Sequence, residues 1–213
     1  MYQIVLITPT GERPEAFSKC VEYMKAQDFS GPVKWVIVDD GREPLKTPTD
    51  MPENWEVRHL RPKPFWEPGQ NTQARNILAG LEETKKSDSI LIIEDDDYYA
   101  PWWVQRCYMW LQTHELVGEA PSLYRHLDGA EKCMNNKHHA SLCATGMRGA
   151  ALDTFRRVLH RTPKSIDVEL WRNHGTRSKK LYPYAGGVVG IKGYPGRPGI
   201  GVGHSLKNKR GIK

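Results

Sequence analysis

Ser89-Ile90-Leu91-Ile92-Ile93-Glu94-Asp95-Asp96-Asp97 is the stretch that decides the fold. Its unbroken aliphatic run has no polar face. That predicts a strand buried on both sides, the kind that parallel sheets contain. Four acids follow at once. Adjacent carboxylates repel one another and persist only where solvent or counter-charge neutralises them. At the carboxyl end of a parallel strand they face the crevice in which open α/β sheets bind ligands. Hard oxygen ligands there suit Mg²⁺ or Mn²⁺ shared with a diphosphate. An exposed acidic turn is the plainer alternative.

Working outward, the first half alternates strand and helix signals. Residues 2–8, 33–38, 56–60 and 89–93 read as strands, and 15–27, 70–85 and 102–112 as helices. Repeated β-α units of this length predict a mixed, mostly parallel central sheet flanked by helices. The second half is less regular. Residues 122–126 and 140–145 read as strands, and 149–160 and 167–173 as helices. From Tyr184 onward glycine and proline crowd the chain, which predicts loops. No linker divides the 213 residues, so one domain is expected. Its donor half covers 1–104, its acceptor half 105–204, and a basic tail 205–213.

The net charge of +6 favours polyanionic partners: nucleic acid, anionic lipid or a nucleotide. Cys20, Cys107, Cys133 and Cys143 form no Cys-x-x-Cys pair, which disfavours a zinc knuckle and suits free thiols in a reducing compartment. No stretch approaches the roughly 18 consecutive apolar residues of a membrane span. The apolar N-terminus lacks a basic leader and reads as a core strand. The expected location is the cytoplasm, that of the host if a bacteriophage encodes the chain.

Three motifs join the acids. Thr8-Pro9-Thr10-Gly11-Glu12-Arg13 follows the first strand, Val38-Asp39-Asp40-Gly41 follows the second, and Asn71-Thr72-Gln73-Ala74-Arg75-Asn76 opens a helix. Each alone is an ordinary turn or helix surface. In this order and spacing they resemble family-2 glycosyltransferases of the GT-A fold, over roughly residues 2–104. The resemblance implies a metal-dependent enzyme that takes a sugar from a nucleotide-diphospho-sugar, a UDP-sugar first among them. It implies that Asp39 or Asp40 meets the base, that Thr8, Pro9, Thr10 and Arg13 surround the nucleotide, and that Arg75 lies near base and diphosphate. Glu94-Asp95-Asp96 matches the Asp-x-Asp register with glutamate in the first place. Glu94, Asp96 and Asp97 are then the candidate metal ligands and Asp95 a donor contact. The register stays ambiguous by one residue.

An inverting transferase also needs a carboxylate to take the acceptor's proton. Asp167 in Ser165-Ile166-Asp167-Val168-Glu169 fits that place. Its alternative is a helix-start acid favoured by the macrodipole. His204 in Gly201-Val202-Gly203-His204-Ser205 is a candidate further metal ligand. For the acceptor, basic charge with Tyr98, Tyr99, Trp102 and Trp103 read as exposed suits a hydroxymethylated DNA base, as some bacteriophages make, or else a glycan. The competing classes are a nucleotidyltransferase, disfavoured by the single glycine of Thr10-Gly11-Glu12-Arg13, and a non-catalytic nucleic-acid-binding module, disfavoured by the acids.

Overall fold

The computed structural model describes residues 3–134, 136–162 and 164–198. Strands β1 (Ile4–Thr10), β2 (Val33–Asp39), β3 (Trp55–Leu60) and β4 (Ser89–Ile92) run parallel. β1 and β4 are buried along their whole lengths, as their aliphatic runs require. Beyond β4 the sheet turns mixed. Strand β9 (Thr145–Met147) lies antiparallel between β4 and β6 (Leu116–Ala120), and β10 (Lys179–Pro183) forms the edge beside β6. The order is β10-β6-β9-β4-β1-β2-β3. This is the α/β class expected, with a mostly parallel central sheet.

Helices cover both faces. Alternate residues of a strand point to opposite sides. Phe17 of α1 (Pro14–Lys25) packs its ring 6.2 Å from that of Trp35 on one face. Helix α2 (Gln73–Leu81) takes the other face, where Gly80 lies so close that a Cβ would stand 2.6 Å from Ile7 Cγ2 and 3.2 Å from Val38 Cγ2. Helix α3 (Trp103–Leu111) buries Trp103, Val104, Cys107 and Leu111. Helix α4 (Ala150–Arg161) packs beside α2, and α5 (Ile166–Asn173) beside α4.

A second, smaller sheet is ordered β5-β11-β7-β8, from β5 (Asp97–Tyr99), β11 (Val188–Lys192), β7 (Ser122–His126) and β8 (Glu131–Met134). It corrects two expectations. The region after Tyr184 is not all loop, because Val188-Val189 and Ile191 complete a strand between β5 and β7. Flanking glycines hid a run this short. Residues 140–145 are not one strand either. They hold a 3₁₀ turn, Leu142–Ala144, which leads into β9. Cys20, Cys107 and Cys143 are buried free thiols and Cys133 is an exposed one. Among the described residues no helix is long and apolar enough to cross a membrane.

The end of helix α5 packs near the start of β6. Trp171 Nε1 donates to Thr145 Oγ1 at 3.2 Å, and three residues on His174 Nε2 lies 3.6 Å from Glu115, just before β6. Burial, helped by Lys179 and opposed by Glu115, lowers the His174 pKa below 6.5. A neutral imidazole is therefore favoured in the folded state, and the unfolded chain takes up a proton first. Stability is full above pH 6.5 and declines as pH falls below it. The melting temperature should drop between about pH 7 and pH 5.5, and drop less in His174→Gln. Equal drops in both proteins would place the acid sensitivity elsewhere.

Candidate functional site

The carboxyl ends of β1, β2 and β4 meet at one edge of the sheet, and the polar residues that follow them interlock. Asp95 is 1% exposed. It accepts from Thr10 Oγ1 at 2.6 Å and pairs with Arg13 Nη2. Arg13 reaches on to Asp96 Oδ2 at 3.0 Å. Lys192, at the end of β11, lies 3.4 Å from Asp96 Oδ2 and 3.2 Å from Asp97 Oδ1. The Ile191 amide also donates to Asp97 Oδ1, at 3.1 Å. Glu94 Oε1 accepts from Gln73 Nε2, at the start of α2, at 2.7 Å. Two strands, one loop and one helix thus bring two cations, two amides and a hydroxyl onto four acids.

The electrostatics follow from burial. Desolvation raises the Asp95 carboxyl to about 6, with repulsion from Asp96 adding to it, although Arg13 and Thr10 pull the other way. Burial, then the neighbouring Asp97, pushes Glu94 well above the usual carboxylate range. Burial alone would discharge Lys192, but Asp97, Asp96 and Glu94 outweigh it and hold the ammonium charged.

The loop after β2 forms the adjoining half of the site. Asp39 is fully buried and accepts from the Gly41 and Leu45 amides at 3.0 and 2.9 Å and from Arg61 Nη1 at 2.9 Å. Burial opposes its charge, yet His59, these amides and Arg61 outweigh it and lower its pKa. Asp40, also fully buried, accepts from Thr72 Oγ1 at 2.5 Å, Arg75 Nη2 at 2.8 Å and Arg197 Nη1 at 2.9 Å. The Arg197 guanidinium lies over the Trp66 ring, 5.1 Å from its centroid. The segment carrying Arg197 is laid onto the loop after β1, where the Arg197 amide donates to Glu12 O at 3.2 Å. Gly196, at φ 97°, has no room for a side chain, since a Cβ would stand 2.0 Å from Glu12 O.

Most of the residues singled out in the sequence come together here: Thr10, Arg13, Asp39, Asp40, Arg75 and the run from Glu94 to Asp97. Thr8 and Pro9 lie inside β1, short of its end at Thr10. Thr8 Oγ1 accepts from Trp35 Nε1 at 2.9 Å, so its hydroxyl serves the core. Asp167 lies in the first turn of α5 and accepts from the Val168 amide. No polar contact joins it to the acids among the described residues. His204 lies outside the described residues. Two aromatics expected at the surface are inside: Tyr99 is 1% exposed and Trp103 fully buried. The Tyr99 hydroxyl accepts from the Glu94 amide at 2.8 Å, which fixes the start of the acidic turn.

The sequence reading missed Lys192, Arg197, Arg61 and Thr72. Lys192 was legible only through the short apolar run before it. Arg197 stands in Tyr194-Pro195-Gly196-Arg197-Pro198, which carries no periodicity at all.

The donor set was tested for a divalent ion. Ligand atoms of Glu94, Asp97 and Cys143 lie within 4.8 Å of one another. Asp97 Oδ2 is buried without a hydrogen-bond partner among the described residues. Arg13 and Lys192 contact Asp95, Asp96 and Asp97 and leave other carboxylate oxygens of the run for a cation. The carboxylates therefore fit Mg²⁺ or Mn²⁺. The Cys143 thiol, held neutral by burial and by Asp97, is a wall of that space and not a hard ligand.

The pattern of glycosyl transferase family 2 matches residues 5–180. This chain belongs to that family. A comparison with curated proteins finds no match. Among solved structures, S. aureus TarS 1-349 in complex with UDP-GlcNAc is similar with a TM-score of 0.61 and 13% identity, over 90% of this chain and 59% of that one. Mannosyltransferase PcManGT from Pyrobaculum calidifontis, in complex with GDP-Man and Mn²⁺, gives 0.57 and 11%, over 90% and 57%. The longer TarS structure is covered over only 37% of its length, so this chain spans less than two thirds of these proteins. At such identity the likeness shows the fold. The GT-A-type architecture and the glycosyltransferase class expected from the sequence are met at the level of family and fold. A bacteriophage source and a DNA acceptor have no support from these relatives.

Proposed function

We propose that this family-2 chain moves a sugar from a nucleoside diphosphate to an acceptor hydroxyl, with the donor bound between Asp40 and the acid run. The observation that carries this reading is the convergence of two buried acid networks on one sheet edge, each held by arginines from other elements. A nucleotide's ring and diphosphate need such a pair of polar sites close together, one for the base and one for the phosphates. Asp39 or Asp40 would accept from the base, with Trp66 and Arg197 beside it. Arg75 would lie along the ribose and diphosphate, and Arg13 and Asp95 would border the phosphates. Glu94, Asp96 and Asp97 would hold a divalent cation, which offsets charge on the leaving diphosphate when bound. Asp167 would take the acceptor's proton as its oxygen attacks the sugar carbon.

The acceptor is proposed to be anionic. A cleft of about 430 Å³ between α4 and α5 has Arg157, Arg161 and Lys164 in its lining against one carboxylate, Glu169, which is paired with Arg172. Among the described residues no carboxylate pairs with any of the three. A hydroxymethylated base in DNA and a phosphate-bearing glycan both meet that description. The buried Tyr99 and Trp103 remove half of the stacking surface that favoured DNA.

The donor is tested by thermal shift with UDP- and GDP-sugars, with and without Mn²⁺. A ligand that binds only the folded state at about 100 times its Kd stabilises by roughly 2.7 kcal/mol. One nucleotide sugar should raise the melting temperature in a metal-dependent way, and Asp96→Ala should abolish the rise. A shift with DNA alone and with no nucleotide sugar would replace the transferase reading with a nucleic-acid-binding one.

A further inference from the structure

Lys192 occupies an unusual place for an ammonium group. It is 5% exposed, and its Nζ bridges Asp96 Oδ2 and Asp97 Oδ1 at 3.4 and 3.2 Å. Its charge also stands 5.5 Å from the Tyr124 ring centroid. The strand that carries it is clamped on both sides. Gly190 pairs with Asp97 on β5, and Lys192 itself pairs with His126 on β7. The chain therefore delivers a cation to the acids through a rigid element and not through a loose surface side chain. Two of the three acids proposed as metal ligands are the two that Lys192 holds. A dication binding to Asp96 and Asp97 must share them with a positive charge a few ångströms away, and like charges at that range in a dry site repel strongly.

We propose that Lys192 is a resident counter-ion of the acid run, which keeps Asp96 and Asp97 in place without metal and holds down the affinity for the divalent cation. It acts on the metal through the carboxylates, so it is a positioning residue. The inference deepens the donor-site reading and rests on its assignment of Asp96 and Asp97. With Lys192 present, the oxygens left for a dication are those that the ammonium does not face, Asp97 Oδ2 among them, which is buried without a partner. Once the ammonium is gone, Asp96 keeps Arg13 and Asp97 keeps the Ile191 amide, but the cation that the two acids share is lost and the acid run carries one more uncompensated charge.

The test uses the full chain and Mn²⁺ alone, with no nucleotide sugar. Lys192→Met keeps the length and apolar stem and removes the charge. Lys192→Arg keeps a charge. Mn²⁺ binding is measured by isothermal titration, and melting temperature is followed with and without Mn²⁺. Lys192→Met should melt well below the wild type in metal-free buffer and bind Mn²⁺ at least tenfold more tightly. Saturating Mn²⁺ should restore much of the lost stability, while the wild type and Lys192→Arg gain little. A Lys192→Met chain that is unfolded without metal and folds on adding Mn²⁺ is the same result in a stronger form. Equal or weaker Mn²⁺ affinity in Lys192→Met, or equal stabilisation of all three proteins by Mn²⁺, overturns the proposal. Failure of every nucleotide sugar to bind leaves these readouts unaffected, so the two ideas can fail separately.

Discussion

Asp40→Ala should lower the melting temperature by roughly 4–12 °C and abolish binding of the nucleotide sugar. The carboxylate is fully buried and gathers Thr72 and Arg75 from the start of α2 and Arg197 from a distant segment. Removing one partner of a buried ion pair costs about 3–5 kcal/mol, because the other charge is left without compensation. Here the cost is smaller. The Arg75 side chain is 34% exposed and can turn to solvent, and only Arg197, at 12%, is strongly confined. About 2–3 kcal/mol is the expected loss, and for a chain of this size each kcal/mol moves the midpoint by roughly 2–4 °C. Donor binding suffers more. The arginines that Asp40 aims would repel each other, and the Arg197 segment would lose its anchor over Trp66. The measurement is thermal unfolding with and without the donor that shifts the wild type. A variant that melts lower yet keeps the full ligand-induced rise would show that Asp40 only ties the loops together, and the base site would then fall to Asp39.

The two halves of the chain differed in how much they revealed, for a physical reason. In the first half each functional residue follows a strand whose apolar run is visible by itself. Ile90–Ile93 announces the position of Glu94 to Asp97, and Val36–Val38 that of Asp39 and Asp40. Local pattern and site position are coupled there, so the sheet edge and its acids could be read together. Lys192 and Arg197 reach the same site by a different route. They come from a short strand and a proline-glycine segment whose partners, Asp97 and Glu12, lie far away in sequence. Nothing local in Gly187 to Pro198 encodes those partners. Thr8 shows the opposite error. It sits in the right motif and on the same face of the strand as Thr10, two residues on, but its hydroxyl is taken up by Trp35 next door on β2, while Thr10, at the strand's end, reaches Asp95. Tyr99 and Trp103 read as surface together with Tyr98 and Trp102 beside them. The second sheet and α3 cover them, and neither the β5–β11 pairing nor its register is visible before the fold is known.

Asp167→Asn separates the two roles open to that residue more cleanly than any deletion. Asparagine keeps the size and polarity of the side chain, so it can still accept from the Val168 amide. It cannot take a proton. If Asp167 serves only the start of α5, the change removes a favourable charge from the macrodipole, worth about 0.3–1 kcal/mol, and turnover is unaffected. If Asp167 is the base, kcat should fall by roughly 10²–10⁴, the usual contribution of a positioned general base. A thousandfold loss is about 4 kcal/mol of transition-state stabilisation, several times the structural term, so the two effects cannot be confused. The donor's KM should stay near the wild-type value, because the proposed donor site lies at the acids and Asp40, away from the proposed base. The measurement is steady-state turnover with the donor found by thermal shift, run beside the melting temperature of the variant. Lost turnover at unchanged stability assigns the proton transfer to Asp167. Retained turnover moves the search to another carboxylate near the acceptor, with Glu169, the next acid along the same helix, tested first.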